Sequence, residues 1–454
     1  MDLFVNEFME KIGLIGATAI GLGAIIGAGI FVLSGVAITL SGSGAILAFL
    51  LTGFVAILVA LETGELSSRM PKEVGAAYSF SYNAFGSEMG FITGILRLLS
   101  FVAAIAAIAV GFGSYFVSFI GLSQSTAPLF SVLLILILGF ITHKGVRKAA
   151  RTDTVLVSFK VLVLIIFVIF GIYAGKAVNL NLSGLFSSGL SGIFAAGVLS
   201  MFAYSGFQSI ASITPYIKGG GRTAAKAILL SVLISAFLYI GVTVAMLMLA
   251  PTSAYALSGD PLSIALKAGA APIALSVLVD LAAMVATASA TLAMLVGCEM
   301  LIFQMASDGL LPQFLKHDKN KKNSETNSLI TTIILGISFL FAGNIYIIAA
   351  ISNFGTIFSY LINSFAILKI RTLENTHKHR MILSSMKLEK TKLFLTPLYP
   401  YVPIVAAFSL FIFFFGFPSE ALAGGVITIM LSIMVYYLLR EIKEKPIIKV
   451  RLFK

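Results

Sequence analysis

Residues 21–31 read GLGAIIGAGIF, which places Gly21, Gly23, Gly27 and Gly29 in the middle of an apolar run over 14–38. A glycine inside a helix costs about 1 kcal/mol relative to alanine, and two of these flank Ala28 at mid-span. The residues alone allow two readings. Small residues let neighbouring helices approach closely, or the helix is interrupted here and its backbone groups are freed. A second stretch adds weight to the interruption. In FAYSGFQS, residues 202–209, Tyr204-Ser205-Gly206 breaks the run 191–213, which Pro215 then closes.

The surroundings of these stretches are those of a membrane protein. Of 454 residues, 59% are apolar and 11% charged, and the mean hydropathy is +1.03. Soluble domains carry about 25% charged residues, and a soluble core needs far less apolar material than this. Disorder is excluded because there is too much to bury. Runs long enough to cross a bilayer fall near 14–38, 45–66, 89–120, 127–142, 154–174 and 191–213. Further runs fall near 227–249, 273–305, 328–347, 350–369, 401–417 and 423–440. The chain therefore reads as all-α with twelve transmembrane helices. The run 127–142 is short, and the break around Gly343-Asn344 is slight.

With the N-terminus inside, 27 of the 31 Lys and Arg fall in inner segments. The outer segments hold Lys176 and Lys267, and Arg97 and Lys160 sit within spans. This is a positive-inside distribution, so the net charge of +12 reflects topology and not a nucleic-acid partner. Both termini are expected in the cytoplasm, and MDLFVNEFMEK lacks the basic start of a secretory signal. The polar stretch 371–396 reads either as an amphipathic helix on the inner leaflet or as a solvated loop. The single cysteine, Cys298, allows no internal disulfide, and no metal site or cofactor is expected.

Ala28 and Ser205 lie 177 positions apart, and five spans precede each new copy. The expected organisation is a cytosolic start (1–13), a first repeat of helices 1–5 (14–174) and a second of helices 6–10 (191–369). A cytosolic loop (370–400), two further helices (401–440) and a basic tail (441–454) follow. Paired interruptions at matching places point to a midplane substrate site. Half-helix N-termini offer N–H groups to a carboxylate, and C-terminal ends offer carbonyls to an ammonium. Two such helices suit a zwitterion.

GLGAIIGAGIF followed by ELSSRMPKEVGAAYSF (65–80) resembles the amino acid–polyamine–organocation superfamily, nearest its cationic-amino-acid-transporter-like members. The likeness continues through TPYIKGGGRTAAKAI (214–228), MASDGLLP (305–312), NFGTIFSYLINSFAILKIR (353–371) and TPLYPYVP (396–403). It spans about residues 12–440, and the order and spacing of these motifs are more specific than any one of them. The resemblance implies a leucine-transporter-type 5+5 inverted repeat with helices 1 and 6 broken, plus two C-terminal helices. It implies a secondary transporter that moves amino acids by alternating access in the cell membrane. The carboxylate would meet the backbone of Gly27, Ala28 and Gly29, and the ammonium would meet carbonyls near Ile25, Phe202, Ser205 and the adjoining Gly206. Phe202, or else Tyr204, would cap the substrate, and Met294 would touch its side chain. A lysine at position 160 would occupy the place of a sodium ion, beside Gly23 and Ser289, which implies Na⁺-independent and proton-coupled transport. Burial penalises the charged form of a lysine, which suits it to exchange a proton between access states. Two positions depart from the pattern: Gln208 stands where several relatives carry an acid, and Gly219-Gly220-Gly221-Arg222 replaces a proline-rich stretch.

Ionisable groups deep in a span are functional candidates. Glu65, Arg97 and Glu299 lie towards the inner ends of their helices. They form either a structural ion-pair cluster or an inner gate that opens during turnover. Asp280 either selects a cationic side chain or faces an outer vestibule. With no acid assigned to the pocket, neutral or broad selectivity is expected; a cationic amino acid or polyamine carrier is the alternative within the class. A channel or receptor is the rival from another class. No Gly-x-Ser-x-Gly elbow or phosphate-binding loop points to an enzyme.

Overall fold

The computed structural model describes residues 12–70, 77–143, 150–176, 180, 182–214, 217–255, 258–315, 324–374 and 393–443. In hydrocarbon each backbone N–H and C=O must be satisfied within the protein, which leaves helices as the local solution for apolar runs of this length. Among the described residues there is no named strand, only an isolated bridge between Ile12 and Ile217. Among the described residues nine segments are long and apolar enough to cross a membrane, and two shorter apolar helices accompany them. The protein is an all-helical, multi-pass membrane protein.

The chain opens with α1 (Leu14–Ile25), a π-turn (Gly29–Leu33) and α2 (Ser34–Ser41), followed by α3 (Ala45–Arg69). Next come α4 (Ala77–Phe85), α5 (Ser87–Ile120), α6 (Ala127–His143) and α7 (Ala150–Ala174). The second interrupted run gives α8 (Gly189–Tyr204) and α9 (Gln208–Ser212). It is followed by α10 (Gly221–Leu249), α11 (Pro261–Ala268), α12 (Ile273–Ser307), α13 (Ser324–Phe339) and α14 (Ile345–Glu374). The last two are α15 (Tyr401–Phe413) and α16 (Ser419–Lys443).

One boundary differs from the sequence reading. The apolar runs near 328–347 and 350–369 meet at residues 340–344, because Gly343 takes φ +151° and Asn344 Oδ1 accepts the Ile347 N–H at 3.0 Å. The apolar Ile345–Ile348 then opens α14 instead of closing α13. The polar connections also hold the short helices α4 and α11, which the apolar runs did not reveal. Pro261 at the first position of α11 is a helix-start signal. The amphipathic-helix or loop alternative for 371–396 falls largely outside the described residues, as do the basic tail beyond 443 and most of the N-terminal start.

Polarity sorts the helices into layers. Leu129, Ile137 and Phe140 of α6, Ile169 of α7, Phe408 of α15 and Met430 of α16 are exposed. Their faces suit lipid, which solvates them without a hydrophobic penalty. The interrupted helices sit inside. Of the first, α1 packs on α7 and α10 while α2 packs on α8; α3 lies along α8 and α10, and α5 lies along α12 and α14.

Candidate functional site

The first interruption falls at Ile26–Gly27. Ile26 leaves the helical region with ψ at 77°, and the Gly27 N–H turns back to the Ile25 carbonyl at 2.8 Å. Ala28 then precedes the π-turn, whose opening N–H groups have no acceptor within their own helix. The second interruption follows Tyr204. Ser205 is extended, with ψ at 156°, and Gly206 has φ +116°, a conformation that a side chain would strain.

The two breaks cross, each presenting a glycine to the other's backbone. A Cβ on Gly29 would lie 2.1 Å from Ala203 Cα, and one on Gly206 would lie 2.4 Å from the Ala24 carbonyl oxygen. A Cβ on Gly27 would lie 3.0 Å from Ala290 Cβ on α12. Close packing and interruption, alternatives in the sequence, are thus both present at this crossing.

Tyr239 of α10 closes the arrangement. Its hydroxyl reaches the carbonyls of Ile25 at 2.8 Å and Ala203 at 3.1 Å, one end of each break. Since a phenol has one proton, that proton is shared between two carbonyls. Tyr115 of α5 plays a similar part further along: it donates to the Phe31 carbonyl at 2.5 Å and accepts the Leu262 N–H of α11 at 3.4 Å. Sequence reasoning missed both tyrosines. Their only signal is a hydroxyl within an apolar span.

The remaining candidates distribute unevenly around the crossing. Phe202 is buried at the end of α8, and its carbonyl already accepts from Ser205 Oγ at 2.7 Å. Ser205, Gly206 and Met294 are partly exposed, whereas Gly27, Ala28 and Gly29 are buried. Tyr204 turns towards α3: its hydroxyl donates to the Phe49 carbonyl at 3.1 Å, and its ring centroid lies 5.2 Å from that of Tyr239.

Lys160 of α7 is fully buried and its Nζ donates to Ser289 Oγ on α12 at 2.6 Å. One helical turn before it, Val157 fills the space beside Gly23, where a Cβ would meet Val157 Cγ2 at 2.5 Å. The structure therefore brings α1 around Gly23, Lys160 and Ser289 to one junction, and the ammonium does not snorkel to an interface.

Glu65 and Arg97 have different hydrogen-bond partners. The Glu65 carboxylate takes the Arg371 guanidinium with two bonds, at 2.8 and 2.5 Å. It also accepts from Arg69 at 2.7 Å and the Thr396 N–H at 2.6 Å. Arg371, at the end of α14, supplies this bidentate partner. Arg97 instead donates to Gln208 Oε1 and Thr356 Oγ1, both at 2.9 Å. Glu299 is partly exposed on α12. Asp280 is buried and accepts the Ser263 hydroxyl of α11, so it ties this short helix to α12.

These features define a class: a polytopic, all-helical membrane protein built around two interrupted helices that cross. A family model for amino acid permeases matches residues 12–439, and the chain belongs to that family, within the amino acid–polyamine–organocation superfamily of transporters. It is 29% identical to the methylthioribose transporter of Bacillus subtilis, over 93% of this chain and 91% of that protein. It is 28% identical to the branched-chain amino acid permease BcaP of Lactococcus lactis, over 92% of both. The likeness to the chloroplastic cationic amino acid transporter 9 of Arabidopsis thaliana is 27%, over 68% of this chain and 57% of that protein.

Proposed function

We propose that this protein is a secondary carrier that moves amino acids across the cell membrane by alternating access, independently of Na⁺ and coupled to protons. One observation carries the reading: two interrupted helices cross with reciprocal glycine contacts at Gly29 and Gly206. That crossing supports a site in which the turn at Gly27–Gly29 receives the α-carboxylate. The ammonium sits by the carbonyls of the Ile25 and Phe202–Gly206 ends, Phe202 covers the substrate, and Met294 meets its side chain. Counting Leu14–Arg69 as two passages and the shorter apolar helices as crossings gives twelve spans. The matching interruptions support two inverted halves with both termini in the cytoplasm.

The Lys160–Ser289 hydrogen bond supports a fixed ammonium in place of a metal ion. A buried lysine that can give up its proton in one access state supplies the coupling. The names of the relatives favour amino acids as substrates and add methylthioribose to the candidates.

The test is reconstitution in liposomes with a panel of radiolabelled amino acids and methylthioribose, with choline replacing sodium and with or without a pH gradient. Amino acid uptake should persist in choline and increase with an inward proton gradient. Lys160→Met should lose the pH-driven component. Strict dependence on Na⁺, or a Lys160→Met protein that accumulates substrate normally at every pH, would contradict the coupling assignment.

A further inference from the structure

Arg97 carries a positive charge that no carboxylate among the described residues neutralises. Its two hydrogen-bond partners, Gln208 Oε1 and Thr356 Oγ1, are neutral. Thr356 Oγ1 is itself engaged with Ser100 Oγ at 2.8 Å. The guanidinium carbon lies 4.7 Å from the centre of the Phe101 ring, a cation–π contact that leaves the charge in place. Among the described residues no carboxylate pairs with it; the arginines that meet Glu65 are Arg69 and Arg371. An arginine in a protein does not deprotonate, so the charge is permanent.

Its position gives the charge a role. Gln208 opens α9, two residues beyond Gly206, and is buried. Arg97 remains partly exposed, as do Ser205, Gly206 and Ser209 beside the break. Phe101, under the guanidinium, faces Gly297, where a Cβ would lie 3.0 Å from its ring. Gly297 is one helical turn beyond Met294. The guanidinium is thus held between the second break and the α12 face that carries Met294.

We infer that Arg97 is a specificity-determining residue, a charge filter that excludes amino acids with cationic side chains and admits neutral ones. The inference rests on the amino acid reading of the site. A substrate zwitterion has no net charge, so its side chain decides the interaction. Like charges in a partly buried site repel, and about 2 kcal/mol of repulsion is roughly thirty-fold in affinity.

The test compares lysine with norleucine, which keeps the four-carbon side chain and lacks the ammonium, as competitors of radiolabelled leucine binding to the purified full-length protein. In the wild type, lysine should bind roughly thirty-fold more weakly than norleucine. In Arg97→Gln the gap should fall to a few-fold, and in Arg97→Lys, which keeps the charge, it should persist. Wild-type protein that binds lysine within threefold of norleucine overturns the filter, and so does an unchanged gap in Arg97→Gln. Should Arg97→Gln fail to fold, Gln208→Glu decides instead: a carboxylate at the atom that accepts from Arg97 neutralises the guanidinium and should narrow the gap, and an unchanged gap overturns the filter. Failure of leucine, norleucine and lysine alike to bind would overturn the amino acid reading itself, a result distinct from equal binding of all three.

Discussion

At Tyr239 one hydroxyl serves the carbonyls of Ile25 and Ala203, so a single side chain satisfies the exposed ends of two interrupted helices. A buried carbonyl that loses its donor costs about 1–3 kcal/mol. Tyr239→Phe should therefore lower the stability of the detergent-solubilised protein by about that amount, read as a lower thermal unfolding midpoint. An unchanged midpoint would mean that the two carbonyls find another donor. The glycines at this crossing were legible in the sequence, because four in eleven residues is a poor recipe for an uninterrupted helix. Tyr239 was not: one tyrosine among 14 within an apolar span reads as core until the carbonyls it meets, 36 and 214 positions away, are known. Arg97 and Lys160 were legible by depth. The partner of Lys160 followed from the resemblance, whereas the partners of Arg97 lie on α9 and α14 and follow only from the fold.

At the scale of elements, Glu65 joins three segments: its own helix α3 through Arg69, the end of α14 through Arg371, and the stretch before α15 through the Thr396 N–H. The carboxylate is fully buried, and the two arginine side chains are 11% and 16% exposed. Removing one member of a buried ion pair leaves uncompensated charge and costs about 3–5 kcal/mol. Glu65→Gln should destabilise the protein by that amount, and Glu65→Gln combined with Arg371→Gln should recover part of the loss. Each is measurable as a shift in the unfolding midpoint. A Glu65→Gln protein within about 1 kcal/mol of wild type would show that this junction contributes little. The long helices were legible because runs of apolar residues that cross a bilayer have few alternatives. The short helices α4 and α11 were not, since their sequences are bounded by polar connections and owe their packing to neighbours. The same limit displaced the α13–α14 boundary, where hydropathy continues through a turn that Gly343 and Asn344 make.

At the scale of the whole molecule, the peripheral helices present apolar faces suited to lipid, while the interrupted pair, the Lys160–Ser289 junction and Arg97 all lie inside. The asymmetry of Lys and Arg along the chain supports the proposed orientation, in which the basic connections face the cytoplasm. A carrier must bind its substrate at a site reached alternately from each side, whereas a channel holds an open path. The two differ in counterflow. Liposomes carrying the purified protein and preloaded with unlabelled leucine are diluted into a trace of labelled leucine, with choline as the only external cation and no pH gradient. The account predicts a transient accumulation of label above its equilibrium level. That overshoot should be absent in Gly27→Val, whose side chain would meet Ala290 across the first break. A monotonic rise to equilibrium in the wild type, or a full overshoot in Gly27→Val, would contradict a carrier built on this crossing.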